Sequence, residues 1–384
     1  LHSADEEKEL TYQDLFILPQ YSDVNSRMEV DIAPKSHTPL TIPVVVANMN
    51  AVAGRRMAET VTRRGGIVVL PQDKTIEQIR LSVEYIKKCH PVIETPVILD
   101  ETQTLQTAIN LINKRSHGAV FVVDNQGQPV GIFTEKDAQM RDLHTPVANA
   151  MTRDLITMPD SSSPLEIYNK LITSRLNIMP LVNKDGRLVG VLTKIGALRS
   201  QFYKPALNKK GEFYTAVAVG VGTGLEEKAA RLLEAGVDLI VLDTAHGHQK
   251  RMIDGIKLVR SMIGPEAPLC AGNIVTAEAA EQFISAGADI LKVGVGPGAM
   301  CSTRMMTGVG RPQFSAVLET ARVARQNGAE VWADGGIKHP RDITLALAGG
   351  ASAAYFGSWF AGTYESAADL QKDEQGRWYK ENFG

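Results

Sequence analysis

Cysteine is scarce in this chain, with Cys89, Cys270 and Cys301 the three among 384 residues. So few thiols build no disulfide framework, and a reducing, cytoplasmic setting is expected. Long apolar runs are missing as well. No stretch of about 18 apolar residues and no signal-peptide pattern is found, so neither membrane insertion nor export is expected. Nor is there an excess of either charge: 41 Lys and Arg stand against 43 Asp and Glu, a net charge of −2. That balance leaves no basic footprint for nucleic acid. At 44% hydrophobic and 22% charged residues, the length suffices for two domains with their own cores. The chain opens on Leu1 without an initiator Met and stops at Phe383-Gly384. Trimming at both ends, with a C-terminal segment missing, is therefore expected.

Outside one central stretch the chain alternates short apolar runs with helical patterns. The runs are Ile42–Val46, Ile67–Leu70, Ala216–Val221, Leu239–Leu242, Pro268–Ala271, Ile290–Val293, Val331–Ala333 and Ala354–Phe356. They are β-branched or aliphatic with almost no charge, as parallel strands covered on both faces should be. Gly236, Gly264, Gly287, Gly328 and Gly350 each precede such a run by a few residues. A glycine that ends a helix just before a buried strand is the αβ half of a repeating βα unit. Leu225, Ala229, Leu232 and Leu233 give one intervening helix its inward stripe. Eight such strands in a length near the ~250 residues typical of the fold predict a (β/α)8 TIM barrel. An open doubly wound sheet is the alternative.

The barrel is expected in two parts, 1–90 and 201–384, with an α+β insert at 91–200. The insert repeats itself: Gly127-Gln-Pro-Val-Gly-Ile-Phe-Thr134 matches Gly186-Arg-Leu-Val-Gly-Val-Leu-Thr193. Each copy follows a helical pattern and an apolar strand, Ala119–Val123 or Ile178–Val182.

In a barrel of this kind the site lies at the C-terminal ends of the strands. Those ends carry Asn48-Met49, Gly222, Asp243, Gly272-Asn273, Gly294, Asp334-Gly335-Gly336 and Gly357-Ser358. Glycines recurring at one face suit a phosphorylated ligand whose oxygens need close backbone N–H groups. One loop stands out, Gly294-Val-Gly-Pro-Gly-Ala-Met-Cys-Ser-Thr-Arg-Met-Met-Thr-Gly-Val-Gly-Arg-Pro-Gln313, with five glycines and two prolines around Cys301. A nearby cation or helix start there would raise the thiolate fraction. The alternative is a tight turn with an idle cysteine. His246 and His248 flank Gly247 without a matching third ligand, so no metal site is expected from them. Cys270 reads as inert core, Cys89 as incidental, and Trp332 and Trp359 as packing.

The loop, together with Ala47-Asn-Met49, Asp243-Thr-Ala-His-Gly-His248, Ala271-Gly-Asn273, Ala333-Asp-Gly-Gly-Ile337 and Gly357-Ser-Trp-Phe-Ala-Gly362, resembles the IMP dehydrogenase / GMP reductase family. The resemblance implies that Cys301 attacks C2 of a purine nucleotide, GMP or IMP, and forms a covalent intermediate. It implies that Asp334 holds the ribose hydroxyls, and that Gly335, Gly336, Gly357 and Ser358 surround the phosphate. Met49 would stack on the base. Asp243, Asn273, Gly294 and Arg304 would meet the nicotinamide cofactor, NADPH/NADP+. Backbone carbonyls of Gly296, Gly298 and Cys301 would form a K+ site. Ala299 departs from the family's phosphate-binding Ser. The insert resembles a tandem pair of cystathionine-β-synthase (CBS) repeats, which implies regulation by ATP or GTP. Thr134 and Asp137 match that module's ribose-binding pattern in the first copy, whereas the second has Gly196. The family also implies a homotetramer or homo-octamer.

Two branches of the family differ in what happens at C2. A dehydrogenase oxidises IMP with NAD+ and hydrolyses the adduct; a reductase expels ammonia from GMP and then accepts hydride. Thr307, the stretch Gln313-Phe-Ser-Ala-Val317, the pattern Gly362-Thr-Tyr-Glu-Ser366 and the tail Trp378-Tyr-Lys-Glu-Asn-Phe-Gly384 resemble the reductases. Glu365 with Thr303 would then protonate the leaving ammonia. The insert itself is commoner among dehydrogenases, which an actinobacterial-type reductase that keeps it would reconcile. An idle nucleotide sensor is the reading from another class.

Overall fold

The computed structural model describes residues 8–383. The chain forms two compact units: one from the stretches up to Lys87, Pro205–Gly362 and from Ser366 onward, the other from Lys88–Lys204 with Thr363–Glu365. Among the described residues no helix is long and apolar enough to cross a membrane.

In the first unit eight parallel strands close into a barrel. They are β1 (Val44–Val46), β2 (Ile67–Leu70), β3 (Ala216–Val219), β4 (Leu239–Asp243), β5 (Leu269–Ile274), β6 (Ile290–Val293), β7 (Glu330–Asp334) and β8 (Ala353–Phe356). β1 pairs with both β2 and β8, which closes the ring and rules out the open sheet. β2 pairs directly with β3, Val69 opposite Ala216, although more than a hundred residues separate them in the chain. The expected eight strands all form, but β3 ends at Val219, two residues early, where Gly220 and Gly222 begin a loop.

Successive strand residues point to opposite faces, so alternate positions fill the barrel. Val45, Ile67, Val69, Ala216, Ala218, Leu239, Val241, Cys270, Ile290, Trp332, Ala353 and Tyr355 belong to one buried cluster. The next positions of the same parity on β4, β6 and β7 are Asp243, Lys292 and Asp334. The interior is thus apolar through most of its depth and turns polar at the C-terminal ends of the strands. Outer helices cover the strands with apolar faces; in Leu225–Glu234, Leu225, Ala229 and Leu232 are buried.

The second unit has two like halves. Ile98–Asp100, Val120–Val123 and Pro129–Phe133 form one three-stranded sheet, and Met158–Pro159, Ile178–Val182 and Leu188–Thr193 form the other. In each, the first pair is parallel and the second antiparallel. Helices Leu105–Ile112 and Pro164–Thr173 take equivalent places, capped by the hydroxyls of Thr104 and Ser163. After the last strand the halves diverge: a 3-10 turn, Glu135–Ala138, follows in the first and an α-helix, Lys194–Arg199, in the second.

Candidate active site

The strand ends open on a cavity of about 460 Å³. Residues from six separate strand-end loops meet there: Met49, Asp243, Asn273, Gly298, Cys301, Thr303, Asp334, Gly335, Gly336, Gly357 and Ser358 all line it. Local structure explains why Gly357 carries no side chain, since a Cβ there would stand 2.5 Å from Met49 Sδ. Gly294, Gly296 and Arg304 do not line the cavity. Gly294 is packed against the Asp334 carbonyl and the Gln313 amide, and its own carbonyl accepts from Asn273 Nδ2. Arg304 packs its Cβ towards Gly296. Their place is in the body of the loop rather than in the cavity lining.

Cys301 precedes a short helix, Thr303–Thr307. Its thiol pKa is lowered, first by the Thr303 hydroxyl hydrogen-bonded to the sulfur, then by backbone N–H groups of Thr303, Gly296 and Arg304; partial burial opposes them. Of the causes expected from sequence, the helix start contributes through the Thr303 and Arg304 N–H groups. Hydrogen bonds to the charged form favour the thiolate. The Cys301 N–H donates to Gly298 O at 3.2 Å, which holds the loop around the sulfur.

The floor of the cavity holds a group that sequence reading missed. Lys292, 3% exposed on β6, forms ion pairs to Asp243 Oδ1 at 2.7 Å and Asp334 Oδ2 at 2.9 Å. It also donates to Asn273 Oδ1 and lies 5.2 Å from the centre of the Tyr355 ring. Asn273 Nδ2 donates to Asp334 Oδ2 at 2.9 Å. Asn48 Nδ2 donates to Asp243 Oδ2 at 2.9 Å, and Tyr355 Oη donates to Asn48 Oδ1 at 2.7 Å. Burial alone would lower the Lys292 pKa, but the two carboxylates carry it well above the ordinary lysine value. Asp243 is held below the usual carboxylate range: burial acts to raise it, and Lys292 and Asn48 together outweigh that. The signal was a single lysine inside an otherwise apolar strand, at the same parity as the core-facing Ile290.

The remaining expected residues lie elsewhere. The Glu365 carboxylate accepts from the Ser116 N–H at 3.2 Å within the second unit and does not line the barrel cavity. Thr134 lines a separate cavity of about 400 Å³ with Asn113, Arg115, Ser116 and Lys136. Asp137 does not line it; its Oδ2 accepts from the Thr134 N–H at 2.7 Å and hydroxyl at 2.8 Å, closing a capping box. His248 Nε2 pairs with Gln282, and no His/Cys/Asp/Glu cluster able to hold a metal is found among the described residues. Cys270 is fully buried, and desolvation raises its thiol pKa. Trp332 is buried in the barrel, and Trp359 packs against the Phe356 ring at 5.4 Å where it also lines the cavity. In the tail, Trp378–Lys380 pairs with Leu370–Lys372, and Lys380 Nζ donates to Ser366 Oγ at 2.9 Å. Gly384 of that tail lies outside the described residues.

The chain is similar to several known proteins. The family model described as IMP dehydrogenase / GMP reductase domain matches residues 9–384. The chain is 50% identical over 376 residues to the GMP reductase of Mycobacterium tuberculosis, covering 98% of this chain and 78% of that one. It is 37% identical over 379 residues to the inosine-5'-monophosphate dehydrogenase of Aquifex aeolicus, covering 97% and 77%. A crystal structure of a Cys-to-Ala variant of Trypanosoma brucei GMP reductase superposes with a TM-score of 0.69 at 34% identity, covering 98% of this chain and 86% of that one. The same variant has a structure in complex with guanosine 5'-monophosphate (TM-score 0.66, 34% identity, 98% and 81% covered). The T. brucei enzyme also has one with guanosine 5'-triphosphate (TM-score 0.62, 35% identity, 94% and 89% covered). A family model spanning nearly the whole chain and relatives at this identity leave one conclusion: the chain belongs to the IMP dehydrogenase / GMP reductase family.

Proposed function

We propose that the protein is a GMP reductase, converting GMP and a reduced nicotinamide dinucleotide, NADPH, into IMP, ammonia and the oxidised dinucleotide. One observation carries this reading: a thiol of lowered pKa, Cys301, opens on the same cavity as the Asp334 carboxylate and the Gly336 and Ser358 loop ends. Higher identity to a reductase than to a dehydrogenase, 50% against 37%, favours this branch.

Asp334 gives Oδ2 to Lys292 and Asn273, so Oδ1 is left for the ribose hydroxyls. Ser358 and the backbone near Gly335, Gly336 and Gly357 would hold the phosphate, without the hydroxyl that Ala299 lacks. The Cys301 thiolate adds to C2, and the C2–N bond breaks as ammonia leaves with a proton. Thr303, which lines the cavity, is the donor we assign. A bound dinucleotide would supply the hydride for C2, and Cys301 would then leave C2 as the thiolate, freeing IMP. The cavity also takes in Gln72, Asp73, Thr244 and Ala245, polar and small groups that leave room for a nicotinamide riboside beside Asp243 and Asn273. K+ would be held by the carbonyls of Gly296, Gly298 and Cys301 and brace the loop. This neutral donor set suits a singly charged ion, and Gly298 O gives only one lone pair to the Cys301 N–H.

The 91–200 insert is proposed as a CBS pair that takes ATP or GTP in its first half, at the Thr134 cavity. In the second half Glu94 Oε1 stands 2.5 Å from where a Cβ on residue 196 would be, and Glu94 Oε2 lies 2.8 Å from His117 Nε2. A carboxylate already fills that place, which favours one nucleotide per pair. Cytoplasmic residence and a homotetramer or homo-octamer belong to the same proposal.

The test is direction. GMP with NADPH should yield IMP and ammonia, while IMP with NAD+ should yield little xanthosine monophosphate. Robust xanthosine monophosphate would assign the dehydrogenase, and nucleotide binding with no turnover either way would leave a sensor.

A further inference from the structure

At the cavity floor the two carboxylates are not equivalent. Both Asp243 oxygens have protein donors, Lys292 Nζ at 2.7 Å and Asn48 Nδ2 at 2.9 Å. Asp334 collects both of its donors, Lys292 Nζ and Asn273 Nδ2, on Oδ2 at 2.9 Å each. Oδ1 of Asp334 therefore has no partner among the described residues. One ammonium thus fixes the orientation of both acids and decides which of the four oxygens is offered to a ligand.

We propose that Lys292 is a positioning residue that ties the substrate-binding carboxylate of Asp334 to Asp243, on the cofactor side of the cavity, so that mononucleotide and dinucleotide binding are coupled through its ammonium. This rests on the reductase reading above. The coupling has a physical route. A ribose diol drawn to Asp334 Oδ1 restrains that carboxylate, and through Nζ it restrains Asp243, Asn273 and the Asn48–Tyr355 pair. A second ligand then meets groups already ordered and loses less freedom on binding. The backbone is built for this side chain. Gly272, opposite Lys292 on β5, leaves the space, since a Cβ there would lie 2.5 Å from Lys292 Cβ. The Tyr355 ring shields the ammonium. With Lys292 held charged and Asp243 held ionised, the tie persists across the neutral range.

Lys292→Met, Lys292→Arg and the charge-balanced pair Lys292→Met with Asp243→Asn test this by calorimetry on the full chain. GMP is titrated alone, the oxidised dinucleotide NADP+ alone, and each in the presence of the other, a pair that passes no hydride and so does not turn over, and melting temperature is recorded. In the wild type each ligand should tighten the other by the same factor. In Lys292→Met, GMP alone should bind about tenfold more weakly, the loss of one charged hydrogen-bond partner, and the mutual factor should fall to one. Lys292→Arg should recover part of both. If Lys292→Met does not fold, the charge-balanced variant decides, because it removes the ammonium with one of the two anions it neutralises. A folded variant lacking Lys292 that keeps the GMP affinity within twofold and the same mutual factor overturns the proposal, as does a wild type with no mutual factor. Failure of the reductase reading looks different: no ammonia from GMP, with the binding measurements still interpretable.

Discussion

At Cys301 two things coincide that a buried cysteine lacks: donors aimed at the sulfur and an opening onto the cavity. Cys270, in the same barrel, has the opposite fate because desolvation dominates there. Cys301→Ala should therefore cut turnover by about a thousandfold or more, the scale of losing a nucleophile. GMP should still bind within a few-fold of wild type by calorimetry, since the thiol acts in bond making. At Gly357 the argument is steric. Gly357→Ala would force Met49 Sδ from its place. Met49 lines the cavity, so the KM for GMP should rise while melting shifts little, a flexible thioether being cheap to move. An unchanged KM would show that Met49 does not meet the base.

At the scale of elements, the cysteine loop is anchored at its far end. Arg311 donates to Val275 O at 2.6 Å and forms ion pairs with Glu9 at 2.7 Å and Glu319 at 2.5 Å. Two residues on, Gln313 opens helix Gln313–Gln326 and donates to Val293 O at 2.8 Å and Asp334 O at 3.1 Å, tying helix, β6 and β7 together. The Arg311 guanidinium holds the Glu9 carboxyl below the usual range through its hydrogen bond, and pulls Glu319 down against partial burial. Both folded pKa values are depressed, so this contribution is present above the ordinary glutamate pKa and is lost as pH falls through the lowered values. Wild type should thus lose more melting temperature than Arg311→Met between pH 6 and 3. Parallel curves would show that the pairs add nothing, as with many exposed ion pairs.

For the whole molecule, two units with separate apolar clusters should unfold separately. Calorimetry should resolve two transitions, GMP raising that of the barrel and GTP that of the insert. Lys136→Ala, at the insert cavity, should reduce the GTP shift without altering the GMP shift. One transition that moves with both ligands would contradict separate sites. How much of this was legible in advance follows from range. The eight strands, the break at 91–200 and the cysteine loop are written in contiguous residues, where a period of two, a glycine stop or a motif is visible locally. The Arg311 anchor joins Glu9 to residue 311, and no local pattern predicts it. The amino-acid sequence by itself determined the eight-stranded barrel, the family and which residues stand at the strand ends, because each depends on neighbours along the chain. Only the tertiary structure decided that Lys292 stands between Asp243 and Asp334, that Gly294 packs against the Asp334 carbonyl and the Gln313 amide, and that the Glu365 carboxylate accepts from the Ser116 N–H. Those outcomes depend on barrel closure, which brings strands far apart in the chain to one end and leaves a buried ammonium to be balanced by the acids it meets there.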